Sequence, residues 1–421
     1  MGEIFKAEEM KHRYAVVMDD LSRVGGAENL AVWMFLSCRE KLDIQFYYRR
    51  RLDEIWPEDF ISSAKVQSYL LPSYLDRSLV RFGTQAMIYG YGFCLKRKLE
   101  KNRVTHVLSL SPYTSYIISE ARRQGGSFVH TWYCHEPSRS AYFQATDRYL
   151  CEAVEAGRQV GPELEDYYNN RLKRIHSSKN KKIRRRTEKT LSEIDNILTN
   201  SYYTSRSVLQ AFQRKSTPLY LGIPLPDYQE RQEKADTNNS NAYIGILAPK
   251  RPEKNLYNVI DAFLRLKKEK KISCSLRIAG AGNTQTSSYL KEMCNEEKAG
   301  DSVSLEGFLT EKERCRFIDQ SLFMAYLPVD EPFGIVPLEV LARKKPVVIS
   351  NHGGMSEVLQ ADKECLKVDP IDQNEISAAF LCYINDISLR NEHAQNGYIK
   401  VSRNHSLEGL EKRLIAYFES Q

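Results

Sequence analysis

At 421 residues the chain is longer than one domain usually runs, and its 42% hydrophobic and 27% charged content is that of an ordinary globular protein with material for more than one core. No apolar stretch reaches the length of a membrane span, and the polar, acidic start from Met1 to Arg13 lacks the basic and apolar regions of a signal peptide, so a cytoplasmic protein is expected. Nine cysteines, odd in number, scattered and without CxxC spacing, argue against a disulfide framework or a metal centre, and the net charge of +7 is modest.

Short apolar runs alternate with longer helical patterns, which predicts an α/β protein with parallel sheets. The first predicted strand, Tyr14 to Asp19, is followed by VGGAEN, Val24 to Asn29. Gly25 and Gly26 let the backbone approach a ligand closely, and the helix that starts there offers free N–H groups to an anion; a plain turn is the equal alternative. Strands are next predicted at Ile44 to Tyr48, Thr105 to Leu110 and Phe128 to Cys134. The last of these ends in WYCHEPSR, where His135, Glu136 and Arg139 cluster as the chain leaves the sheet. His135 could donate to a sugar hydroxyl or a phosphate oxygen, but taken alone it reads rather as a histidine bonded to a neighbouring loop. Cys134 reads as a small buried residue.

The stretch from Arg171 to Arg186, RLKRIHSSKNKKIRRR, has no acidic residue. Such a run is a solvated helix or loop, or it meets an anionic partner such as a membrane surface or a lipid-linked diphosphate acceptor. Nucleic acid is not expected, because no RRM, KH or zinc-finger pattern accompanies the charge. A strand at Asn196 to Asn200 closes the first half, and Gly222 to Ala242, polar with two prolines, reads as a linker. The expected domains are therefore 1–221 and 243–421, joined by 222–242, with the amphipathic last helix (Leu407 to Ser420) free to pack back on the N-terminal domain.

In the second half strands are predicted at Tyr243 to Ala248, Leu276 to Gly280, Val303 to Phe308, Phe323 to Pro328 and Pro346 to Ser350, with a helix over Asn258 to Glu269. APKRPEKN, Ala248 to Asn255, gathers Lys250, Arg251 and Lys254 at a strand-to-helix turn, the place to neutralise a diphosphate. GAGN, Gly280 to Asn283, ends the next strand and permits another close approach. The most informative segment is DEPFGIVPLEVLARKKPVVISNHGGMSEVL, Asp330 to Leu359. Glu331 stands in a loop, Phe333, Gly334 and Ile335 follow, and Glu339 comes in the first turn of a helix, with seven residues between the glutamates. Carboxylates kept ionised there suit vicinal hydroxyls, as on a sugar ring or ribose; two plain helix N-terminal charges, about 0.3–1 kcal/mol each, are the structural alternative. Gly353-Gly354 form a further close-approach loop ahead of Glu357.

This last segment resembles the signature of glycosyltransferase family 4, the retaining GT-B enzymes, with E-x7-E followed by PVV, GG and E. GGAE, the NS pattern at Asn200 to Val208, PEKN, GAGN and LEGF (Leu305 to Phe308) fall in the family's order, while Asp147 to Glu193 match least. The resemblance implies a GT-B fold, two Rossmann-like doubly wound domains facing a central cleft. It implies that Glu331 and the backbone of Phe333, Gly334 and Ile335 lie near the donor sugar, that Glu339 holds the ribose, that Lys254 binds the diphosphate, and that Gly25 and Gly26 close over the phosphates. His135 is similar to the family histidine near the donor sugar, and YCHEPSR looks like a variant of mannosyltransferase-like members. Many members carry an arginine where this chain has Pro249; Arg251 or Lys250 is the expected substitute.

The expected activity is metal-independent, retaining transfer of a hexose from a nucleotide-sugar donor, GDP-mannose before a UDP-sugar, to a glycan or lipid-linked acceptor in surface polysaccharide synthesis. No cofactor is expected beyond the donor substrate itself. A sugar phosphorylase, a sucrose-type synthase and a catalytically inactive GT-B partner subunit are the alternatives.

Overall fold

The computed structural model describes residues 12–22, 25–70, 84–226, 242–269, 271–282, 284–297 and 299–421. Val24, Asn283 and residues 227–241 of the expected linker lie outside them. The chain forms two compact units, one of Met1–His135, Lys182–Leu198 and Glu411–Gln421, the other of Glu136–Lys181 and Thr199–Leu410.

In the first unit β1 (Tyr14–Leu21), β2 (Ile44–Arg51), β3 (Val66–Ser68), β4 (His106–Ser109), β5 (Val129–Cys134) and β6 (Asn196–Thr199) run in the order β3-β2-β1-β4-β5-β6. β1 and β4 are almost wholly buried because a parallel strand is covered by helices on both faces. Ala15 and Val17 of β1 pack with Leu95, Leu99, Ile117 and Ile118 from the flanking helices Thr84–Lys101 and Pro112–Arg123. The last helix, Leu407–Glu419, sends its C-terminal part into this unit, with the Tyr14 and Phe418 rings 4.4 Å apart and Lys41 paired to Glu411 at 2.6 Å.

The second unit holds β7 (Thr217–Pro218) and a six-stranded sheet of β8 (Tyr243–Leu247), β9 (Ser275–Ala279), β10 (Val303–Leu305), β11 (Phe323–Tyr326), β12 (Val347–Ser350) and β13 (Leu366–Val368), in the order β10-β9-β8-β11-β12-β13. The sheet grows from β8 in one direction through β9 and β10, then returns to β8's other side with β11, Ile244 facing Phe323. Such a reversal is the switch point at which open α/β sheets bind ligands, beyond the carboxyl ends of the strands. The helix Leu256–Lys268 buries Leu256, Val259, Ile260, Phe263 and Leu264 on the sheet, each large side chain contributing about 1.5–3 kcal/mol, and ends with Arg265, Lys267 and Lys268 at its negative pole.

The units depart from the expected division at 222–242, since 136–181 and 199–221 join the C-terminal sheet. The physical reason is a separate apolar core. Phe143, Leu150, Leu164, Tyr167 and Tyr168 pack with Val329 and Ile371, residues that follow β11 and β13. The helix Pro162–Arg174 that carries part of this core has Pro162 at its first position, acidic Glu163 and Glu165 in its first turn and basic Arg171, Lys173 and Arg174 in its last, all in keeping with the helix dipole. No described helix is long and apolar enough to cross a membrane.

Candidate functional site

Lys254 and Glu331 come from the two strands that flank the switch point of the second sheet. After β8 the chain makes a single turn, Pro252–Lys254, that ends at Asn255 with φ +60. Asn255 is buried and its Nδ2 donates to Leu327 O at 3.0 Å and Pro370 O at 2.6 Å, so the turn is tied to the extension of β11. After β11 the chain stays buried through Val329 and bends at Asp330, φ +54, a left-handed conformation that costs a non-glycine residue about 1–2 kcal/mol.

The two meet in an ion pair, Lys254 Nζ donating to Glu331 Oε2 at 2.5 Å. Burial alone would raise the Glu331 pKa; Lys254, Arg139 and the Tyr326 hydroxyl more than offset it, and the carboxyl is held below its ordinary value. A small, shallow pocket lies beside Glu331, lined among others by Tyr326, Ser350, His352 and Met355. Phe333, buried, and Gly334 and Ile335 lead into the helix Val336–Ala342, whose first turn carries Glu339. Arg314 donates to Glu339 Oε1 at 2.6 Å, while Oε2 is buried and, among the described residues, accepts no hydrogen bond.

The loop of Glu331 is gripped from several sides. Arg139 donates to Asp330 O at 2.7 Å and to Glu136 Oε1 at 2.6 and 3.0 Å, and reaches Asp147 at 3.2 Å. Burial, opposed by Arg139 and reinforced by Asp147 and Glu331, pushes Glu136 up to about 7. Ser201 Oγ donates to Pro332 O at 2.6 Å, and Gly354 N to Glu331 O at 2.9 Å. Asp330 N donates to His352 Nε2 at 3.1 Å, which makes His352 the Nδ1-protonated tautomer, and the Tyr149 ring stacks on the imidazole at 3.8 Å. Burial pushes His352 down to about 4, so the ring stays neutral and able to accept.

Residues 227–400 match the family model described as glycosyl transferases group 1. Over this stretch the chain is similar to the group 1 glycosyltransferases. Among similar proteins, the alpha-1,3/1,6-mannosyltransferase ALG2 of Homo sapiens is 27% identical over 135 residues, 32% of this chain and 32% of its own. The O-antigen chain mannosyltransferase RfbU of Salmonella typhimurium is 25% identical over 186 residues, 44% of this chain and 49% of its own. The match thus spans half or less of these relatives' length. The crystal structure of Anabaena Alr3699/HepE in complex with UDP superposes with a TM-score of 0.70 at 13% identity, covering 97% of this chain and 100% of that one, a likeness of fold. The fold is GT-B, with two Rossmann-like units.

Of the residues singled out from the sequence, Arg251, Lys254, Gly280, Glu331, Phe333, Gly334, Ile335 and Glu339 belong to the second unit, and Gly25, Gly26 and His135 to the first. Lys254 and Glu331 are in contact. Lys250, one of two expected substitutes for the missing arginine, is committed elsewhere: its Nζ donates to Gly280 O at 2.6 Å and Glu306 O at 2.5 Å, bracing the ends of β9 and β10. Arg251 has 62% of its side chain exposed and approaches Glu253 at 4.0 Å. Gly280, φ +143, turns the chain out of β9 against the backbone of Ala248. His135 follows β5, its ring 5.1 Å from that of Tyr133, and burial, against a backbone hydrogen bond with Leu110, pushes it down to about 4. Asp330, His352, Tyr326 and Tyr203 were not singled out. The visible signal was an acidic residue directly before Glu331 and a histidine directly before the Gly353-Gly354 pair, which periodicity does not detect.

Proposed function

We propose that the protein is a retaining, metal-independent hexosyltransferase that binds a nucleotide sugar in its second unit and passes the hexose to a glycan or lipid-linked acceptor. The Lys254–Glu331 contact at the switch point carries this reading. Without substrate, Glu331 keeps the half-buried ammonium paired, so no lone charge is left in a low-dielectric site. In the reading, an arriving diphosphate takes over Lys254, Arg251 adds charge from solvent, and the freed Glu331 oxygen accepts from hydroxyls of the sugar. Glu339 Oε2, buried without a partner among the described residues, suits a ribose hydroxyl.

In transfer the bond from C1 to the diphosphate oxygen breaks and the acceptor oxygen bonds to C1 on the same face. The acceptor's proton passes to the departing phosphate oxygen beside it. Charge developing on that leaving group is what the Lys254 ammonium stabilises. GDP-mannose is the first donor to test, in keeping with the mannosyltransferases among the relatives, and a UDP-sugar the second, in keeping with the UDP-bound fold neighbour. Surface polysaccharide synthesis at the cytoplasmic face of a membrane is the proposed setting.

The test is a thermal-shift panel of GDP, UDP, ADP and TDP, each with and without Mg²⁺, followed by transfer assays on the wild type and Lys254→Ala. One nucleotide should stabilise without metal, by about 2.7 kcal/mol at a hundredfold excess over Kd. The variant should keep its fold and lose turnover by orders of magnitude. Silence from every nucleotide, or near-normal turnover of the variant, sinks the reading.

Lys173, Arg174, Lys179, Lys181, Lys182 and Arg185 are exposed on the helices Pro162–Arg174 and Ser178–Leu191. This reading adds that they hold the protein on an anionic bilayer, each contributing about 1 kcal/mol near the surface. Sedimentation with phosphatidylserine vesicles should fall when Lys179, Lys181, Lys182 and Arg185 are replaced by Gln; unchanged sedimentation removes the membrane from the proposal.

A further inference from the structure

The helix Arg148–Glu155 begins at Asp147, a residue type that normally caps its own helix, yet the Asp147 side chain makes no capping bond. It is taken by the Thr146 hydroxyl at 2.7 Å, the Tyr167 hydroxyl at 3.2 Å and Arg139. The cap comes from far along the chain. Tyr149 N donates to Asp330 Oδ1 and Leu150 N to Asp330 Oδ2, both at 2.9 Å, and the Tyr203 hydroxyl adds a third donor to Oδ1. These two backbone groups, at the second and third positions of the helix, are the ones an N-cap side chain would serve.

Every polar group of Asp330 is engaged. Its N–H goes to His352, its C=O receives Arg139, and both carboxylate oxygens receive the donors just named, on a residue with no solvent exposure at all. Its left-handed φ is therefore held by five partners from four separate stretches of chain. Glu331 is the next residue. Once the peptide plane and side chain of Asp330 are fixed, the direction in which Glu331 leaves the backbone is fixed with them, because one trans peptide links their Cα atoms at about 3.8 Å. On the far side the Glu331 C=O receives Gly354 N and the Pro332 C=O receives Ser201 Oγ.

We propose that Asp330 is a positioning residue: by capping the helix Arg148–Glu155 from a distance it sets the Glu331 carboxylate against Lys254. The segments 136–181 and 199–221, joined to the second unit, act through it as a brace for the Glu331 loop. This rests on the reading of Lys254 and Glu331 as the donor site. A displacement of about 1 Å in such a site is enough to lower turnover a hundredfold, so a brace of this kind acts on rate rather than on binding.

Asp330→Asn keeps the size of the side chain but turns an NH₂ group toward a backbone N–H. Tyr203→Phe removes one donor and leaves the two backbone bonds, which protects the test against a variant that fails to fold. Two measurements apply to each: a crystal structure and steady-state kinetics with the nucleotide sugar. In Asp330→Asn the Lys254–Glu331 separation should open beyond 3.5 Å, an approximate hydrogen-bonding limit. Its kcat should fall about tenfold to a hundredfold with the donor KM within about twofold. Tyr203→Phe should lower kcat a few-fold with the same KM. A lowered melting temperature with the ion pair intact and kcat unchanged would make Asp330 a cap and nothing more, and overturns the inference. If the wild type turns over no nucleotide sugar, the functional reading fails by itself, and the Lys254–Glu331 separation in Asp330→Asn still decides the positioning role.

Discussion

Gly353-Gly354 and Gly25-Gly26 each follow a strand of a doubly wound sheet and each open a helix, Gly354–Val358 in one case and Gly26–Cys38 in the other. Their surroundings differ. Gly353 has φ +86, and a Cβ on Gly354 would run into Pro332 O and come within 2.8 Å of Phe333 Cα, all backbone of the Glu331 loop. Gly25 has φ −156 and ψ 170, extended backbone that any residue adopts, and a Cβ there would meet the end of a side chain, the buried Glu28 carboxylate, rather than backbone. Backbone packing requires the first pair, while at Gly25 only one side chain stands in the way of a larger residue. A glycine that the fold does not require is the better marker of a place where something else comes close to the backbone.

The largest effect is expected at the packed pair. Gly354→Ala pushes a methyl group into the backbone of Pro332 and Phe333, where no rotamer change can make room, so overpacking should cost about 1–3 kcal/mol. Glu331 should lose its place as well, so that kcat falls together with stability. Urea denaturation and turnover of the same preparation check this. A midpoint equal to the wild type's would show that the Glu331 loop yields easily, and would weaken the case for a braced site.

What was legible in the sequence follows the same division between local and distant causes. The ten apolar runs that predicted strands all form strands, because a buried parallel strand writes itself as consecutive apolar residues. β3, β7 and β13 were not foreseen: VQS, TP and LKV are too short and too polar to stand out from loops. Glu331 and Glu339 were singled out by their spacing together with the family resemblance, and the structure sets Glu331 against Lys254. The allegiance of 136–181 was not legible, since it depends on Val329 and Ile371 packing with Leu150 and Leu164 across well over a hundred residues. Asp330 was hidden for a related reason. Local capping rules point to Asp147, and only the folded chain shows that Arg139, Thr146 and Tyr167 have taken that carboxylate while Asp330 serves the helix. Lys250 and Lys254 make the same point at closer range: four residues apart in one basic turn, one braces carbonyls and the other meets Glu331.

The smallest effect on stability, and the sharper probe of function, is expected at Gly25. Gly25→Ala needs no unusual φ, and the group it displaces is the end of one side chain, the buried Glu28, so it should cost no more than about 1 kcal/mol, less than Gly354→Ala. If the glycine is there to let a phosphate come against the backbone, the added methyl group should raise the donor KM or lower kcat by about tenfold, roughly 1.4 kcal/mol, while the protein stays fully folded at the assay temperature. Such a split would separate a glycine kept for a ligand from one kept for packing, which is the contrast with Gly354. Wild-type kinetics in Gly25→Ala would instead make Gly25 an ordinary extended residue ahead of a helix, and the phosphate-closing role that the family resemblance implies would pass to other groups.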